Sequence, residues 1–146
     1  MNSKEIESIL KNDTSFRGCY SFDNLPKLGK EFPQKIIINT GRRETQGEHW
    51  IALLLTSEEC FYFDSFGLPI INLEISKFLS SKFRFVTYSE ICIQHFLSNK
   101  CGQFCLLFLK TVNNKKSYNN FILSFDHKNL QRNDTSVQIY LKKYSI

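Results

Sequence analysis

Residues 94–109 read QHFLSNKCGQFCLLFL, and the fold turns on this stretch. From Cys101 onward, Cys101, Phe104, Cys105, Phe108 and Val112 recur at steps of three and four, so they share one face of a helix. Ser98 and Asn99 stand just upstream as capping residues, which puts Cys101 at or near the helix N-terminus. Unpaired N–H groups and the positive end of the helix dipole gather there, and both favour a thiolate over a thiol. The apolar face is expected to anchor the helix in the core and leave its first turn accessible. A cysteine held this way is a candidate nucleophile. It needs a base, a group that orients the base, and donors for an oxyanion.

The chain has 146 residues, which fits one domain. A domain of that size buries roughly 68–70% of its unfolded surface, so neither disulfides nor metal are required for a core. Fourteen Phe and a hydrophobic fraction of 42% supply that core. The net charge of +5 permits contact with nucleic acid or another polyanion, but no long basic run is present. Five cysteines make an odd count, and no N-terminal apolar run resembles a signal peptide. No segment approaches the length of a membrane span. Reduced thiols in an intracellular setting are expected, with the Asn12 and Asn133 sequons carrying nothing.

Residues 3–11 predict a short amphipathic helix capped by Ser3, with Ile6, Ile9 and Leu10 inward. Residues 12–34 read as irregular, and 35–39 (KIIIN) as a strand. A polar loop, 40–50, feeds a strand at 49–55 (HWIALLL) that is apolar on both faces. A turn at 56–59 and an aromatic strand at 60–66 (CFYFDSF) complete a hairpin. Residues 73–80 predict a helix with Ile75, Phe78 and Leu79 inward, 83–88 a strand, and 90–94 one more short strand. The nucleophile helix spans about 101–112, 113–120 reads as a polar connector, and 134–144 as a last helix with Asp134 at its cap. Strands and helices segregate rather than alternate, which argues for an α+β fold over a doubly wound sheet.

The hairpin register carries the chemistry. If Leu55 pairs with Cys60, Ile51 lies opposite Asp64, and His49 falls on the same face as Asp64, one diagonal step away. Diagonal neighbours sit roughly 7–8 Å apart at Cα, within reach of an imidazole–carboxylate hydrogen bond. A slip of one residue puts them on opposite faces. Of the three histidines, His127 sits in a polar segment near the C-terminus and His95 adjoins Gln94, itself a candidate donor. The order His49, Asp64, Gln94, Cys101 supplies each role once.

Three stretches carry a resemblance. NTGRRETQGEHW (39–50), FDSFG (63–67) and the Gln94-x6-Cys101-Gly-x-Phe-Cys spacing resemble the adenovirus proteinase (adenain) family. FRGCYSFDNLP (16–26) and LQRNDTSVQIYLKKYS (130–145) resemble that family's segment after the first helix and its last helix. The resemblance implies a papain-like, adenain-like cysteine protease domain over residues 1–146, with a central, mostly antiparallel sheet and the nucleophile at the N-terminus of a central helix. It implies His49 as general base, Asp64 as the acid orienting it, Cys101 as nucleophile, and Gln94 with the Cys101 N–H as the oxyanion hole. By the same resemblance the protein is a monomeric viral endopeptidase that cuts capsid and core precursors beside Gly. It would need no metal, bind no membrane, respond to viral DNA and a capsid-derived peptide, and reside in the virion and in the host nucleus or viral factory. The family's peptide-tethering Cys falls in the strand before the Gln. Residues 83–86 here read FRFV, so non-covalent peptide activation is expected, with Cys92 or Cys19 as the thiols that could substitute. The chain is also shorter than that family, mostly after the nucleophile helix.

Other readings compete. The SUMO-specific proteases share the His, Asp, Gln, Cys order, but their local wording matches less well. Cys92, His95, Cys101 and Cys105 offer four zinc ligands on paper. Their spacing fits no common finger, and the His49–Asp64 pair is left unexplained. A structural DNA-binding protein is the third class, with Arg42, Arg43 and Lys35 as candidate phosphate contacts. Cys60 and Cys105 read as small buried residues, and Trp50 with the Phe residues as core.

Overall fold

The computed structural model describes residues 1–41 and 49–146. Arg42, Arg43 and most of the lead-in to His49 lie outside the described residues. The first helix, α1 (Ser3–Leu10), buries Ile6 and Leu10. Its cap is Asn2 rather than Ser3. The Asn2 side chain accepts from the Glu5 N–H at 3.0 Å, while the Glu5 carboxylate accepts from the Asn2 N–H at 2.7 Å.

A sheet of five strands follows in sequence order among the described residues: β1 (Phe16–Ser21), β2 (Gln34–Asn39), β3 (Trp50–Leu55), β4 (Glu59–Phe63) and β5 (Phe85–Thr87). Strand β1 corrects the reading of 12–34 as wholly irregular. It pairs with β2 in parallel, and β4 pairs with β5 in parallel across α2 (Leu73–Ser80), so the sheet is mixed rather than mostly antiparallel. Only β2–β3 and β3–β4 are antiparallel. The hairpin register is the expected one, with Leu55 opposite Cys60 and Ala52 opposite Phe63. One further step along the pairing sets Ile51 against Asp64.

Alternation divides β3 and β4 between two cores. Trp50, Ala52, Leu54, Phe61 and Phe63 face α1 and three helices beyond the sheet: α3 (Cys101–Thr111), α4 (Lys115–Leu123) and α5 (Gln131–Lys142). Ile51, Leu53, Leu55, Cys60 and Tyr62 face α2 through Ile75 and Leu79. Every residue of β3 is buried, which is why it reads as apolar on both faces. Across the larger core Phe63 stacks on Phe108 at 4.8 Å, and Phe121 meets both edge-on. Full burial of each Phe is worth roughly 1.5–3 kcal/mol.

Three local readings are corrected here. Residues 113–120 are not a connector, because α4 begins there. Asn114 caps it, and Tyr118, Phe121 and Ile122 form its buried stripe. Residues 90–94 form no strand. Asp134 lies in the first turn of α5 instead of capping it.

Candidate active site

Three chain segments converge on one cleft. It has a volume of about 470 Å³ and is lined by Met1, His49, Trp50, Phe66, Gln94, Ser98, Asn99 and Cys101. The first segment is the N-terminal end of β3, with His49 one residue before it. The second is the exit of β4, where Asp64 and Ser65 leave the strand. The third is the loop from Gln94 to the first turn of α3.

His49 Nε2 lies 2.6 Å from Asp64 Oδ1, the diagonal contact that the register requires. The same oxygen accepts from the Phe66 N–H at 2.8 Å, and the Phe66 ring lies against the imidazole with centroids 4.6 Å apart. The carboxylate is therefore held from two sides, and with Nε2 taken, Nδ1 is the ring nitrogen left for the thiol. Cys101 is the first residue of α3 and hydrogen-bonds His49 through its side chain. One turn on, the buried Cys105 thiol donates to the Trp50 carbonyl at 3.4 Å, which fastens α3 to β3 next to His49.

The helix start differs from expectation in an informative way. Ser98 and Asn99 do not cap α3; the N-cap position is Lys100, with no side-chain hydrogen bond. The N–H groups of the first turn are thus left without a capping oxygen. A missing cap costs about 1 kcal/mol, which is small beside the burial of Phe104 and Phe108 that holds the helix in place.

The electrostatics favour an ion pair. Burial lowers the His49 pKa, but hydrogen bonds from the imidazolium to Asp64 and Cys101 and the two negative charges outweigh it, lifting the imidazolium to about 9. Burial raises the Cys101 thiol, yet the His49 hydrogen bond, the Trp50 N–H, the imidazolium charge and the Gly102 N–H together hold it below the usual thiol value. The other cysteines go the opposite way. Burial pushes Cys19 up to about 12 and raises Cys60, Cys92 and Cys105. A low-pKa thiolate beside an imidazolium is a nucleophile with its proton donor already in place.

Gln94 is buried at the cleft wall. Its Nε2 donates to the Ser98 carbonyl at 2.9 Å, and its Oε1 accepts from Ser65 Oγ at 2.5 Å. Ser98 Oγ in turn donates to Asp134 Oδ1 at 2.7 Å, and the buried Asn133 amide donates to the Ile93 carbonyl at 2.8 Å. The first turn of α5 thus grips both sides of the Gln94 loop. That burial also leaves Asn133 no room for a glycan.

The remaining candidates stay outside the cleft. His95 accepts from the Leu97 N–H and packs on Phe96, and His127 Nε2 sits 2.9 Å from the Ile122 carbonyl. No three His, Cys, Asp or Glu among the described residues gather to hold a metal ion, and Cys92, His95, Cys101 and Cys105 do not come together as a zinc ligand set. No helix among the described residues is long and apolar enough to cross a membrane. Lys35 is taken up by Asp13 at 2.8 Å. Sequence reasoning missed Ser65, Asn133 and Asp134 as members of the site, since their partners lie 29 to 40 residues away.

Comparison with known proteins gives a consistent answer. The profile of one family, adenovirus endoprotease, matches residues 16–131. The protease of snake adenovirus serotype 1 is 34% identical over 128 residues, covering 74% of this chain and 63% of the relative. The protease of human adenovirus B serotype 3 is 36% identical over 130 residues, covering 74% and 60%. That of ovine adenovirus D serotype 7 is 31% identical over 123 residues, covering 73% and 60%. The chain spans about 60% of the length of these curated relatives.

Proposed function

The chain belongs to the adenovirus endoprotease family, and on that premise we propose that it is a viral maturation protease of the cysteine type with a papain-like arrangement. The observation that supports this reading best is the meeting of the Cys101 thiol, the His49–Asp64 pair and the Gln94 amide in one cleft. In this scheme the Cys101 thiolate attacks a peptide carbonyl. The oxyanion is held by the Cys101 N–H and one Gln94 Nε2–H. His49 gives its proton to the departing amine and a thioester remains. Water then attacks the thioester with His49 as base, releasing the acid and restoring thiolate and imidazolium. The substrates we assign are viral capsid and core precursors cut beside Gly, in the virion and the host nucleus or viral factory. The walls of Trp50, Phe66 and Met1 favour a residue with no side chain next to the scissile bond.

The direct test is digestion of a Gly-containing peptide library, with cleavage sites read by mass spectrometry. Cuts without Gly on either side would refute the specificity, and no cutting by an intact protein would refute the activity. Its pH dependence follows from the ion pair. Turnover needs Cys101 ionised and His49 protonated, so kcat/KM should rise as the thiol loses its proton below its ordinary range. It should then fall as the imidazolium loses its own at about 9. A profile still climbing at high alkaline pH would contradict the pair.

Viral DNA and a capsid-derived peptide are the activators we assign, with the protein acting as a monomer. The peptide is held without a disulfide at the open edge of β5, where Phe85 is exposed and no cysteine stands. DNA is held by phosphate contacts from exposed lysines such as Lys27 and Lys82, which border a groove with Phe32 and Phe83. DNA stimulation of turnover should therefore fall steeply between roughly 50 and 200 mM salt and be indifferent to duplex sequence. Peptide stimulation should survive reductant. Its loss in reductant would indicate a disulfide instead, and full activity without DNA at every salt concentration would reduce the basic charge to a solubility feature.

A further inference from the structure

Next to Asp64 is a hydroxyl that the scheme above does not use. Ser65 is fully buried, and its Oγ donates to Gln94 Oε1 at 2.5 Å. Its carbonyl accepts from the N–H groups of both Ile93 and Gln94, at 2.9 and 3.0 Å. The chain leaves this position through Gly67, at φ +66°; a Cβ there would lie 2.6 Å from Cys92 N and the Ile91 carbonyl carbon. Only glycine lets the exit of β4 run this close to the segment that carries Gln94.

A primary amide has an oxygen that only accepts and a nitrogen that only donates. The Ser98 carbonyl can only accept, so the nitrogen of Gln94 faces Ser98 and the oxygen faces Ser65. One Nε2 proton is used on Ser98, and among the described residues nothing takes the second, which is left for the cleft that Gln94 lines with Cys101 and His49. Turning the amide over would set two acceptors against each other at Ser98. The hydroxyl of Ser65 is the one donor found on the Oε1 side among the described residues.

We propose that Ser65 is a positioning residue of Gln94: the Ser98 carbonyl decides which end of the amide is which, and the Ser65 hydroxyl, by holding Oε1, fixes the plane and aim of the remaining Nε2 proton toward the cleft. The dipeptide Asp64-Ser65 then orients both halves of the machinery, the base through one side chain and the oxyanion donor through the next. This deepens the reading of Gln94 as oxyanion donor and rests on it.

The test is a double-mutant cycle between Ser65→Ala and Gln94→Ala. S65A is expected to lower kcat about 10–100-fold with KM within about twofold, since a misaimed oxyanion donor costs less than the roughly 10²–10³ of a deleted one. The double variant should be no slower than Q94A alone. Iodoacetamide should alkylate Cys101 at the wild-type rate in all of them, because alkylation builds no oxyanion. In a ¹H–¹⁵N spectrum the Gln94 side-chain amide should move toward the position of free glutamine in S65A. If S65A does not fold, Ser65→Cys, a weaker donor at the same atom, carries the same cycle with a smaller loss. Losses that multiply, or an S65A enzyme with wild-type kcat, overturn the proposal and leave the protease reading in place. A wild-type protein that hydrolyses no peptide overturns that reading instead. The Gln94 amide signal then still decides whether Ser65 holds it, and an unmoved signal sinks the proposal.

Discussion

Cys101→Ala is expected to bring peptide hydrolysis to background, a loss on the order of 10⁵–10⁶ in kcat, comparable to removal of the nucleophile from a catalytic triad. The chain holds other thiols, at Cys19, Cys60, Cys92 and Cys105, but none can take over. Cys60 and Cys105 are fully buried, and burial raises the pKa of all four. Cys101 alone among them is shifted downward. Iodoacetamide at neutral pH should therefore label Cys101 first, read by peptide mapping, and its labelling should track loss of turnover one for one. First labelling of Cys92 with activity intact would remove Cys101 from the role. The substitution should not unfold the protein, because Cys101 is only partly buried and the helix is anchored by Phe104, Cys105 and Phe108.

The second large effect concerns the base. His49→Ala should abolish turnover nearly as completely. Asp64→Asn is expected to leave a folded protein with kcat lower by about 10²–10⁴, by comparison with the serine triad. Asp64 Oδ1 accepts from both His49 and the Phe66 N–H. An asparagine that keeps its oxygen there loses the charge that sustains the imidazolium; one that turns its nitrogen inward forces the wrong tautomer on His49. Either way the imidazole should titrate well below about 9 in D64N, followed by the His49 ring resonances. His127→Ala serves as the control, since that ring bonds the Ile122 carbonyl away from the cleft. Inactivation by H127A, or a D64N enzyme with the wild-type pH profile, would dismantle the pair.

The parts of the fold legible in the sequence are those whose partners are near in the chain. The β3–β4 register follows from a short polar turn between two apolar runs, so the His49–Asp64 contact could be stated from residue arithmetic. Helix α3 is equally plain from its apolar stripe. Strand β1 was hidden because its partner in β2 is parallel and its own pattern is broken by Gly18, at φ +130° beside a register shift. Helix α4 is obscured because Tyr118 stands alone in its polar start, NNKKSYNN, with Phe121 and Ile122, which complete the stripe, lying beyond it. The α1 cap was misplaced by one residue although Asn2 and Glu5 have capping-box spacing. The Ser65–Gln94 and Ser98–Asp134 bonds join distant segments through ordinary polar residues, and nothing local announces them.

Asparagine oxygens close the ends of α1, α2 and α4, at Asn2, Asn72 and Asn114, yet α3 has Lys100 at its N-cap with Asn99 one residue away and unused, and α5 has Leu130 there, likewise without a capping side chain. For an engineer this is a warning. A thermostabilisation scheme that grades each helix end separately would choose position 100 along with 130, and gain about 1 kcal/mol from a capping side chain at each. At position 100 that side chain would compete for the Gly102 N–H that helps hold the Cys101 thiolate, and the sturdier protein would be the poorer catalyst. Marginal resilience at the start of α3 is what a working enzyme retains.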